Sequence, residues 1–485
     1  RGGRAGSVWI DRHGTGEFAE LIRLPSNLAD PIWVGRRIYF LSDHEGVGNL
    51  YSVTPTGGGL TRHTHHRDFY ARFASSDGRR VVYHCGADLW VYDPRTTNTR
   101  SLEVTLPSSR PQRARRFHAP GKLLESFNLH PQGHSLALTA RGGAFTMPLW
   151  EGGPIRHGPI SSARQRLVGW LPDGERIVGV SDENGEESLV IRNASGPGPR
   201  RARAKTIEGN FGRVRSLDPA PGGTDRVALT NHRHEVVLVD LVRGTSSLVY
   251  RSPFSWIAGT DWSSDGRWLA FGAAVSRTTT NLFLYDSSAG ELHQVGRPDF
   301  DDWSPSFDPE GRYLAFLSAR TYDPVPDGHF HDYGFPRSSS PMLVNLRAAD
   351  PSTFSVAQRE PHPPGPPQPP ASRDELEQIA VSVDLEGIDQ RIEAFPVPPG
   401  IYNRVELARG RAYFLSQPVV GLLSVKEGDP PTARLESWDF SSDKLEQVAE
   451  AVGGFRVSRD GRVFAVRSNG RLRVVPVGWK DEKKP

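Results

Sequence analysis

Short runs of Val, Ile, Leu, Phe and Tyr alternate along most of the chain with polar turns that contain glycine. The segment "ARFASSDGRRVVYHCGADLWVYDP", residues 71–94, predicts one strand, a tight turn and two further strands. Glycine after aspartate supplies the positive φ that a two-residue hairpin requires. The flanking β-branched and aromatic residues suit strands that pack between stacked sheets. The pattern therefore predicts an all-β chain.

The same unit recurs along the sequence at near-constant spacing. Successive hairpin glycines are 43, 55, 41, 49, 43, 45, 99 and 51 residues apart, and they are Gly35, Gly78, Gly133, Gly174, Gly223, Gly266, Gly311, Gly410 and Gly461. Third strands such as "EVVLVDLV" and fourth strands such as "ELHQVG" follow the hairpins. Four antiparallel strands per ~45 residues are typical of a β-propeller blade. The regular spacing disfavours a sandwich array or unrelated hairpins.

The hairpins fall into two groups. Residues 110–120, "RPQRARRFHAP", have no strand pattern and predict a linker. The seven hairpins after it predict a complete seven-bladed propeller over 121–479, with 480–485 as a tail. The two hairpins before it, with a blade end in "GSVWIDRHGTGEFAELIRL", predict the last blades of a partial, six-bladed-type propeller over 1–109. The prediction is tandem β-propellers. The last unit, "RVFAVRSNGRLRVVPV", shows three strands, so how the ring closes stays open.

The 99-residue gap predicts two insertions in the fifth blade. "RTYDPVPDGHFHDYGFPRSSSPMLVNL" indicates an excursion between its second and third strands, and a Pro-rich insertion follows near 361–370. Strands are expected to resume at "IAVSVDL" and "RIEAFPVPP". The proline run fits either a polyproline II ligand of an SH3-type domain or a solvated surface loop, which is the commoner case.

Composition removes several classes of function. The net charge of +3 requires no anionic partner. The basic stretches "RPQRARRF" and "GPRRARAK" have no interleaved aromatic residues apart from Phe117. They are therefore interpreted as linkers rather than phosphate-binding segments, and no nucleic-acid partner is expected. The single Cys85 excludes an internal disulfide and fits a reducing, cytoplasmic setting. We find no long uncharged apolar run, so no membrane span is expected.

Motifs for catalysis or cofactors are not found. The chain has no G-x-S-x-G, H-E-x-x-H, Walker loop or C-x-x-C, so no cofactor is expected. "TRHTHHRD" has a spacing that a transition metal could use, through His63, His65, His66 and Asp68. The same stretch fits a solvated loop between blades, which we favour. "NHRHEV" places His232 and His234 alternately on a predicted strand and is a weaker candidate.

Charged residues precede three of the predicted innermost strands, where a propeller has the mouth of its central channel. These channel-mouth candidates are Arg164, Arg166, Arg213, Arg215, Asp299, Asp301 and Asp302. A charged rim guides a charged peptide or ligand. An ordinary solvated channel lining has the same composition and is the favoured interpretation.

Longer stretches resemble the tricorn protease family. "SNLADPIWVGRRIYFLSDHEGVGNLYSVTPTGGGLTRHTHHRDFYARFASSDGRRVVY" is similar to the late blades of that family's first propeller, and "DDWSPSFDPEGRYLAFLSARTYDPVPD" to the middle of its second. "IDQRIEAFPVPPGIYNRVELARGRAYFLSQPV" resembles a stretch near the end of the second propeller. The repeat alone also resembles TolB-like and prolyl-oligopeptidase-type propellers and is less specific.

The resemblance implies a six-bladed propeller, a seven-bladed propeller and then a catalytic half with a PDZ-like module and a serine-protease site. It implies that this chain, which begins at Arg1, starts inside the first propeller and stops before the catalytic Ser, His and Glu. The family's arginine pair that anchors the peptide carboxylate is expected in earlier blades and is not Arg36–Arg37. Peptides are expected to enter through the seven-bladed ring and leave through the six-bladed one, in a hexamer.

Three functions remain as hypotheses. The first is the substrate-gating region of a cytoplasmic tricorn-type serine protease, inactive in this chain and partnered by peptides and by the catalytic half of the same polypeptide. The second is a free-standing TolB-like propeller that binds a protein partner. The third is a propeller enzyme with its own channel site, such as a metal-dependent lactonase or phytase, which would need acidic or histidine ligands that converge on the axis.

Overall fold

The strands and turns below come from a computed structural model of the chain. It describes residues 6–105, 107–109, 111, 118–159, 163–196, 204–329, 331–354, 380–421 and 432–481. Regular structure in these residues consists of 38 β strands and short 3₁₀ turns. The all-β prediction is confirmed. The chain divides into two units, Arg1–Phe117 and His118–Pro485.

The first unit has ten strands in three antiparallel sheets. β1 and β2 form a two-stranded sheet, β3 to β6 form a four-stranded sheet, and β7 to β10 form another. The strands are β1 (Ser7–Ile10), β2 (Ala19–Arg23), β3 (Leu28–Val34), β4 (Arg37–Ser42), β5 (Asn49–Val53), β6 (Thr61–Arg62), β7 (Ala71–Ser76), β8 (Val81–Cys85), β9 (Asp88–Asp93) and β10 (Asn98–Leu102).

The first sheets of the second unit each hold four strands, paired in chain order. They are formed by β11 (Leu124–Leu129), β12 (Ser135–Ala140), β13 (Gly143–Pro148), β14 (Ile155–His157), β15 (Gln165–Trp170), β16 (Arg176–Ser181), β17 (Ser188–Asn193), β18 (Lys205–Ile207), β19 (Val214–Pro219), β20 (Arg226–Asn231), β21 (Glu235–Asp240), β22 (Thr245–Arg251), β23 (Thr260–Trp262), β24 (Trp268–Ala274), β25 (Thr280–Asp286) and β26 (Glu291–Val295).

The next sheet has a small hairpin inserted in it, and the last described sheet has six strands. The strands are β27 (Asp302–Phe307), β28 (Tyr313–Ser318), β29 (Val325–Asp327), β30 (Asp332–Gly334), β31 (Ser340–Asn345), β32 (Ile392–Ala394), β33 (Ile401–Ala408), β34 (Arg411–Gln417), β35 (Ala433–Asp439), β36 (Lys444–Val457), β37 (Val463–Ser468) and β38 (Arg471–Pro476). The 14-residue β36 pairs with β35 through its first part and with β37 through its second. It is the outer strand of one blade continued into the inner strand of the next.

All nine predicted glycines lie between two strands that are consecutive in the chain and paired in a sheet, with φ between 60° and 83°. The predicted two-residue turn occurs at Gly35 and Gly410 and is wrong for the other seven, which have longer turns. At Gly266, for example, the backbone N–H donates to the carbonyl of Ser263 at 2.9 Å. Glycine there is the fourth residue of the turn, where the chain needs a positive φ to re-enter the sheet.

Turns of neighbouring sheets contact each other in the second unit. A Cβ added to Gly266 would lie 2.4 Å from the carbonyl oxygen of Pro221 in the preceding turn. A Cβ at Gly174 would lie 2.4 Å from Nε2 of His130. By contrast, a Cβ at Gly410 would meet nothing within 4 Å. Some of these glycines are therefore required both for their backbone conformation and for the contact between blades.

The structure has an excursion between β28 and β31, which contains the β29–β30 hairpin. "RIEAFPVPP" contains β32, but the expected strand in "IAVSVDL" is wrong, because residues 380–385 have no regular structure. Val381 is nevertheless buried in a hydrophobic cluster, and its N–H donates to Asp265 while its carbonyl accepts from Nε1 of Trp268. The Pro-rich insertion near 361–370 lies outside the described residues.

The last and first sheets of the second unit pack together. Leu129 and Leu136 of the first sheet are buried against Ala465 of the last. Arg467 donates from Nη2 to the carbonyl of Gly121 at 3.0 Å. In the described part of the chain no strand pairs with the free edge of β38. Among the described residues, side-chain packing and this hydrogen bond join the last sheet to the first.

Candidate functional site

The innermost strands of the second unit surround a cavity of about 610 Å³. Residues of β11, β19, β23, β27, β33 and the second part of β36 form its wall. A propeller places the first strand of each blade along its central channel. The side where these strands begin is called the mouth side below, and the side of the hairpin turns is called the turn side.

Polar side chains on the inner strands join neighbouring blades. Asp261 accepts the backbone N–H of Phe307 at 2.7 Å, and Ser306 accepts that of Leu407 at 2.9 Å. Glu406 continues the series and accepts the N–H of Val457 at 2.6 Å. Each side chain thus satisfies a backbone donor on the next inner strand, which would otherwise present an unpaired sheet edge to the channel.

Charged side chains cluster together in the cavity wall. This charged belt consists of Asp218, Asp261, Arg404, Glu406, Arg456 and Arg459. Glu406 Oε1 lies 2.5 Å from Nε of Arg404 and 3.4 Å from Nη1 of Arg456. Arg459 donates to the carbonyl of Pro219 at 2.7 Å, and Asp218 accepts a hydrogen bond from Thr260. Three carboxylates face three guanidinium groups, so the belt has no net charge.

Burial changes the ionisation of the belt. It raises the pKa of Asp261 to about 6, although Arg459 and the N–H of Phe307 act in the opposite direction. Burial also lowers the pKa of Arg404, and the neighbouring Arg456 adds to this effect. Both shifts follow from placing charged groups in a wall that is packed with protein atoms.

Aromatic rings lie on the mouth side of the cavity. Trp256 is 57% exposed, and the guanidinium carbon of Arg215 lies 5.3 Å from the centre of its ring. Trp303 of β27 also lines the cavity. Cations are attracted to aromatic faces, so this contact fixes Arg215 beside the opening.

Of the four predicted channel-mouth arginines, Arg215 lines the cavity. Arg164 pairs instead with Glu125 at 3.1 Å on the surface. Arg166 pairs with Glu187 at 2.5 Å. The backbone N–H of Arg213 donates to a histidine ring, and its side chain is exposed.

The predicted aspartates differ in their environments. Asp302 is 1% exposed and forms a pair of 2.9 Å hydrogen bonds with Arg320, and burial raises its pKa. Its carboxylate is therefore an interior ion pair and not part of a charged rim. Asp301 accepts the N–H of Thr280 at 2.7 Å, whereas Asp299 is exposed. A position just before a predicted innermost strand therefore does not by itself predict that the side chain is exposed to the channel.

The histidine cluster of the first unit is held by tyrosines rather than arranged around a shared centre. His63 contacts Ser52 through Nε2 at 2.6 Å and Tyr92 through Nδ1 at 2.8 Å. His66 contacts Tyr83 through Nε2 at 2.9 Å. Burial lowers the pKa of His63 to about 4, with a contribution from Arg37. Residues 63–70 form the favoured loop, but the imidazoles of His63 and His66 are hydrogen-bonded and only partly exposed rather than solvated.

His65 and Asp68 of the same cluster are exposed. The expectation that His232 and His234 alternate on a strand is also wrong, since residues 232–234 form the turn between β20 and β21. Among the described residues, no three His, Cys, Asp or Glu side chains are grouped so that they could hold a metal ion. Most of the two basic stretches lies outside the described residues.

The sequence prediction missed every residue of the charged belt. It examined residues at or just before the start of the inner strands, whereas Asp218, Asp261 and Glu406 lie one or two residues before the last residue of their strands. The usable signal is a charged residue between apolar neighbours in "SLDPA", "TDWSS" and "VELAR". On a strand, such a residue faces away from the packed side.

No helix in the described part of the chain is long and apolar enough to cross a membrane. Two family models match the sequence. "Tricorn protease N-terminal beta propeller domain" matches residues 1–98, and "Tricorn protease second beta propeller domain" matches residues 124–478. The second match covers most of the chain and corresponds to the second unit.

Curated relatives agree with this assignment. "Tricorn protease homolog 1" of Streptomyces coelicolor is 34% identical over 98% of this chain and 45% of its own length. "Tricorn protease homolog" of Saccharolobus solfataricus is 32% identical over 99% of this chain and 42% of its own length. The chain therefore spans less than half of the length of these two relatives.

A solved structure shares the fold. "Crystal structure of the tricorn protease" superposes with a TM-score of 0.69 at 24% identity, and it covers 99% of this chain and 45% of that one. The two family models, the relatives and this structure confirm the resemblance and the tandem propellers predicted from the sequence. The chain belongs to the tricorn protease family, within that family's N-terminal propeller half.

Proposed function

We propose that this chain is the substrate-gating region of a tricorn-type serine protease and that the cavity of the second unit admits unfolded peptides. In this proposal the serine nucleophile and its partners belong to a catalytic half outside the present sequence. The substrates are peptides, the assembly is a homo-oligomer such as a hexamer, and the compartment is the cytoplasm. The names of the relatives, which are tricorn protease homologues, support a protease. The gating role, the substrates, the assembly and the compartment are part of the proposal.

The observation that carries the proposal is the charge-balanced belt in the channel wall. Each carboxylate or guanidinium described above contacts a partner within the wall or lies close to opposite charge. A wall of this kind offers a peptide polar surface without strong attraction for one sign of charge. The cavity of about 610 Å³ suits a short extended segment and not a folded domain.

Peptide binding to the purified chain tests whether the cavity is the route. Asn128 lies on β11 and lines the cavity, so Asn128→Trp should fill it. We expect this variant to weaken binding of a fluorescein-labelled nonapeptide, measured by anisotropy, at least tenfold. Val242→Trp adds the same side chain at a position that is 66% exposed and outside the cavity, and it should bind as the parent does. Equal binding by both variants would exclude the cavity as the route.

The same nonapeptide displayed in a loop of a folded domain tests the size limit. We expect the parent chain to bind the free peptide and to leave the displayed one unbound, because the channel cannot accept a folded body. Circular dichroism and gel filtration of each variant establish that the propeller remains folded. Equal affinity for the two forms would contradict gating by size.

Activity measurements test the separation of gating from catalysis. The purified chain is expected to show no turnover of fluorogenic tri- and tetrapeptides and no labelling by a serine-directed probe. A full-length relative serves as the positive control for substrate and probe. Turnover that co-purifies with a labelled serine would place a nucleophile in this chain and overturn that part of the proposal.

A further inference from the structure

A second cavity, of about 410 Å³, lies on the turn side of the same channel. Its wall is formed by the hairpin turns and the strand ends beside them. The apolar part includes Leu129, Trp170, Pro172, Pro221, Pro309 and Val463, and the polar part includes Gln132, Asp460 and Arg462. Asn128, Asp218, Ser264 and Arg459 line both cavities. The two cavities therefore adjoin, and in the proposed route an extended segment that passes the charged belt comes next to the turn-side cavity.

Two buried donors in the turn-side wall have no hydrogen-bond partner. Trp170 is 7% exposed and its Nε1 is unpaired, and the hydroxyl of Ser264 is unpaired as well. An indole N–H can only donate, so its missing partner is an acceptor. Buried polar groups in folded proteins almost always have a partner, supplied by protein, water or ligand.

The ring of Trp170 is held in place by its neighbours. His130 packs edge-on against it with ring centres 4.7 Å apart, and Nε2 of His130 is engaged with the carbonyl of Gly174 at 3.0 Å. That nitrogen therefore has a partner other than the indole. The fixed indole and the proline-rich wall form a pocket that combines an apolar surface with hydrogen-bond donors.

We propose that the turn-side cavity is a subsite for an extended peptide, in which an apolar side chain packs on the turn prolines and a backbone carbonyl accepts from Trp170 Nε1. This inference rests on the proposed function of the channel and adds a preference to it. Nε1 is buried, so a peptide carbonyl reaches it when the turns beside Trp170 move apart, and the carbonyl then supplies the acceptor that the indole lacks. A leucine side chain gains more from the apolar wall than a serine side chain does. The gating channel would then retain peptides with an apolar residue at one position.

The test compares two labelled nonapeptides that differ only in the central residue, Leu or Ser, between Gly and Ser flanks. Binding to the purified 485-residue chain is measured by anisotropy. Trp170→Phe removes the donor and keeps an aromatic ring. Trp438→Phe is the matched control, because Trp438 is also buried with an unpaired Nε1 but lies outside both cavities. Ser264→Ala supplies a second, smaller change in the subsite.

We expect the parent to bind the Leu peptide more tightly than the Ser peptide. Trp170→Phe should weaken binding of the Leu peptide by about three- to tenfold, the usual effect of losing one hydrogen bond, while Trp438→Phe leaves it unchanged. Ser264→Ala should weaken it in the same direction. Should Trp170→Phe unfold the chain, Ser264→Ala alone decides the matter.

The outcomes separate the subsite from the channel. Equal affinity for both peptides, or equal affinity of Trp170→Phe and Trp438→Phe, overturns the subsite and leaves the gating proposal standing if Asn128→Trp still blocks binding. No binding of either peptide by the parent overturns both proposals.

Discussion

The charged belt and the turn-side cavity belong to the same ring of strands, yet they differ in whether their polar groups have hydrogen-bond partners. In the belt, Glu406 satisfies two guanidinium groups and a backbone N–H at once. In the turn-side cavity, Trp170 has a buried donor without a partner. A wall whose groups satisfy one another suits passage, whereas a wall with unpaired donors suits retention.

The difference follows from which part of the inner strand forms each wall. The belt consists largely of side chains that project from the strands into the channel, where charge is hydrated or paired. The apolar part of the turn-side wall includes the turn prolines Pro172, Pro221 and Pro309, which lie beside polar side chains such as Gln132 and Asp460. The turn prolines thus make this end of the channel more apolar than the belt.

The largest expected effect concerns the turns. Gly266→Ala should lower the free energy of unfolding of the second unit by about 3 kcal/mol, because φ is 72° and the new Cβ would lie 2.4 Å from a backbone oxygen. Gly410→Ala has a similar φ of 66° without the contact and should lose only about 1 kcal/mol. Urea unfolding followed by tryptophan fluorescence measures both. Equal losses would mean that the contact between turns contributes nothing.

The next effect concerns the belt. Glu406→Ala leaves Arg404 and the N–H of Val457 without their shared acceptor, and we expect a loss of about 2–3 kcal/mol in the same measurement. Glu406→Gln keeps an oxygen for Val457 and should lose about 1 kcal/mol. If alanine is no worse than glutamine, the hydrogen bond to the next blade is not stabilising.

A smaller effect depends on pH. Because burial raises the pKa of Asp261 to about 6 from 3.8, the folded chain binds this proton more tightly than the unfolded chain. The resulting stabilisation is present at low pH and is lost as the pH rises through about 6. Water in the channel screens the charge, so we expect Asp261→Asn to gain about 1 kcal/mol relative to the parent at pH 7.5 and nothing near pH 3.5.

Asparagine at position 261 retains an oxygen that can accept the N–H of Phe307, so the inter-blade hydrogen bond survives. Asp301→Asn is the control, since Asp301 also accepts one backbone N–H, from Thr280. The comparison is made by urea unfolding at both pH values. A gain at pH 3.5 as large as that at pH 7.5 would contradict a titrating Asp261 as its cause.

Much of the fold could be predicted because the repeat is local. The glycine with positive φ and the apolar segments that specify one hairpin lie within about ten residues of each other. All nine hairpins could therefore be predicted from short stretches of sequence. The strand expected in "IAVSVDL" is absent because the backbone of Val381 hydrogen-bonds to the distant side chains of Asp265 and Trp268 instead of to a neighbouring strand. An apolar run indicates burial, but it does not specify pairing with a neighbouring strand.

The site was less predictable because its partners are distant in sequence. Asp302 is an interior ion pair on account of Arg320, and His63 is held by Tyr92 of the next sheet. Neither partner is visible from the local motif. The belt residue Glu406 acts through Val457 on another blade, a contact that requires the ring to be assembled. The sequence shows which residues are charged. Their hydrogen-bond and ion-pair partners depend on how the blades pack together.

The smallest effect distinguishes the mouth side from the turn side. Trp256 is exposed and contacts Arg215, so Trp256→Ala should change the free energy of unfolding by only about 0.5 kcal/mol. It should weaken binding of the Leu and Ser peptides by the same factor, since an exposed ring at the opening contacts any peptide. Trp150→Ala, at a position 80% exposed and outside both cavities, is the control and should change neither. If Trp256→Ala altered the ratio of the two affinities, apolar preference would arise at the mouth, and the division between passage and retention drawn above would fail.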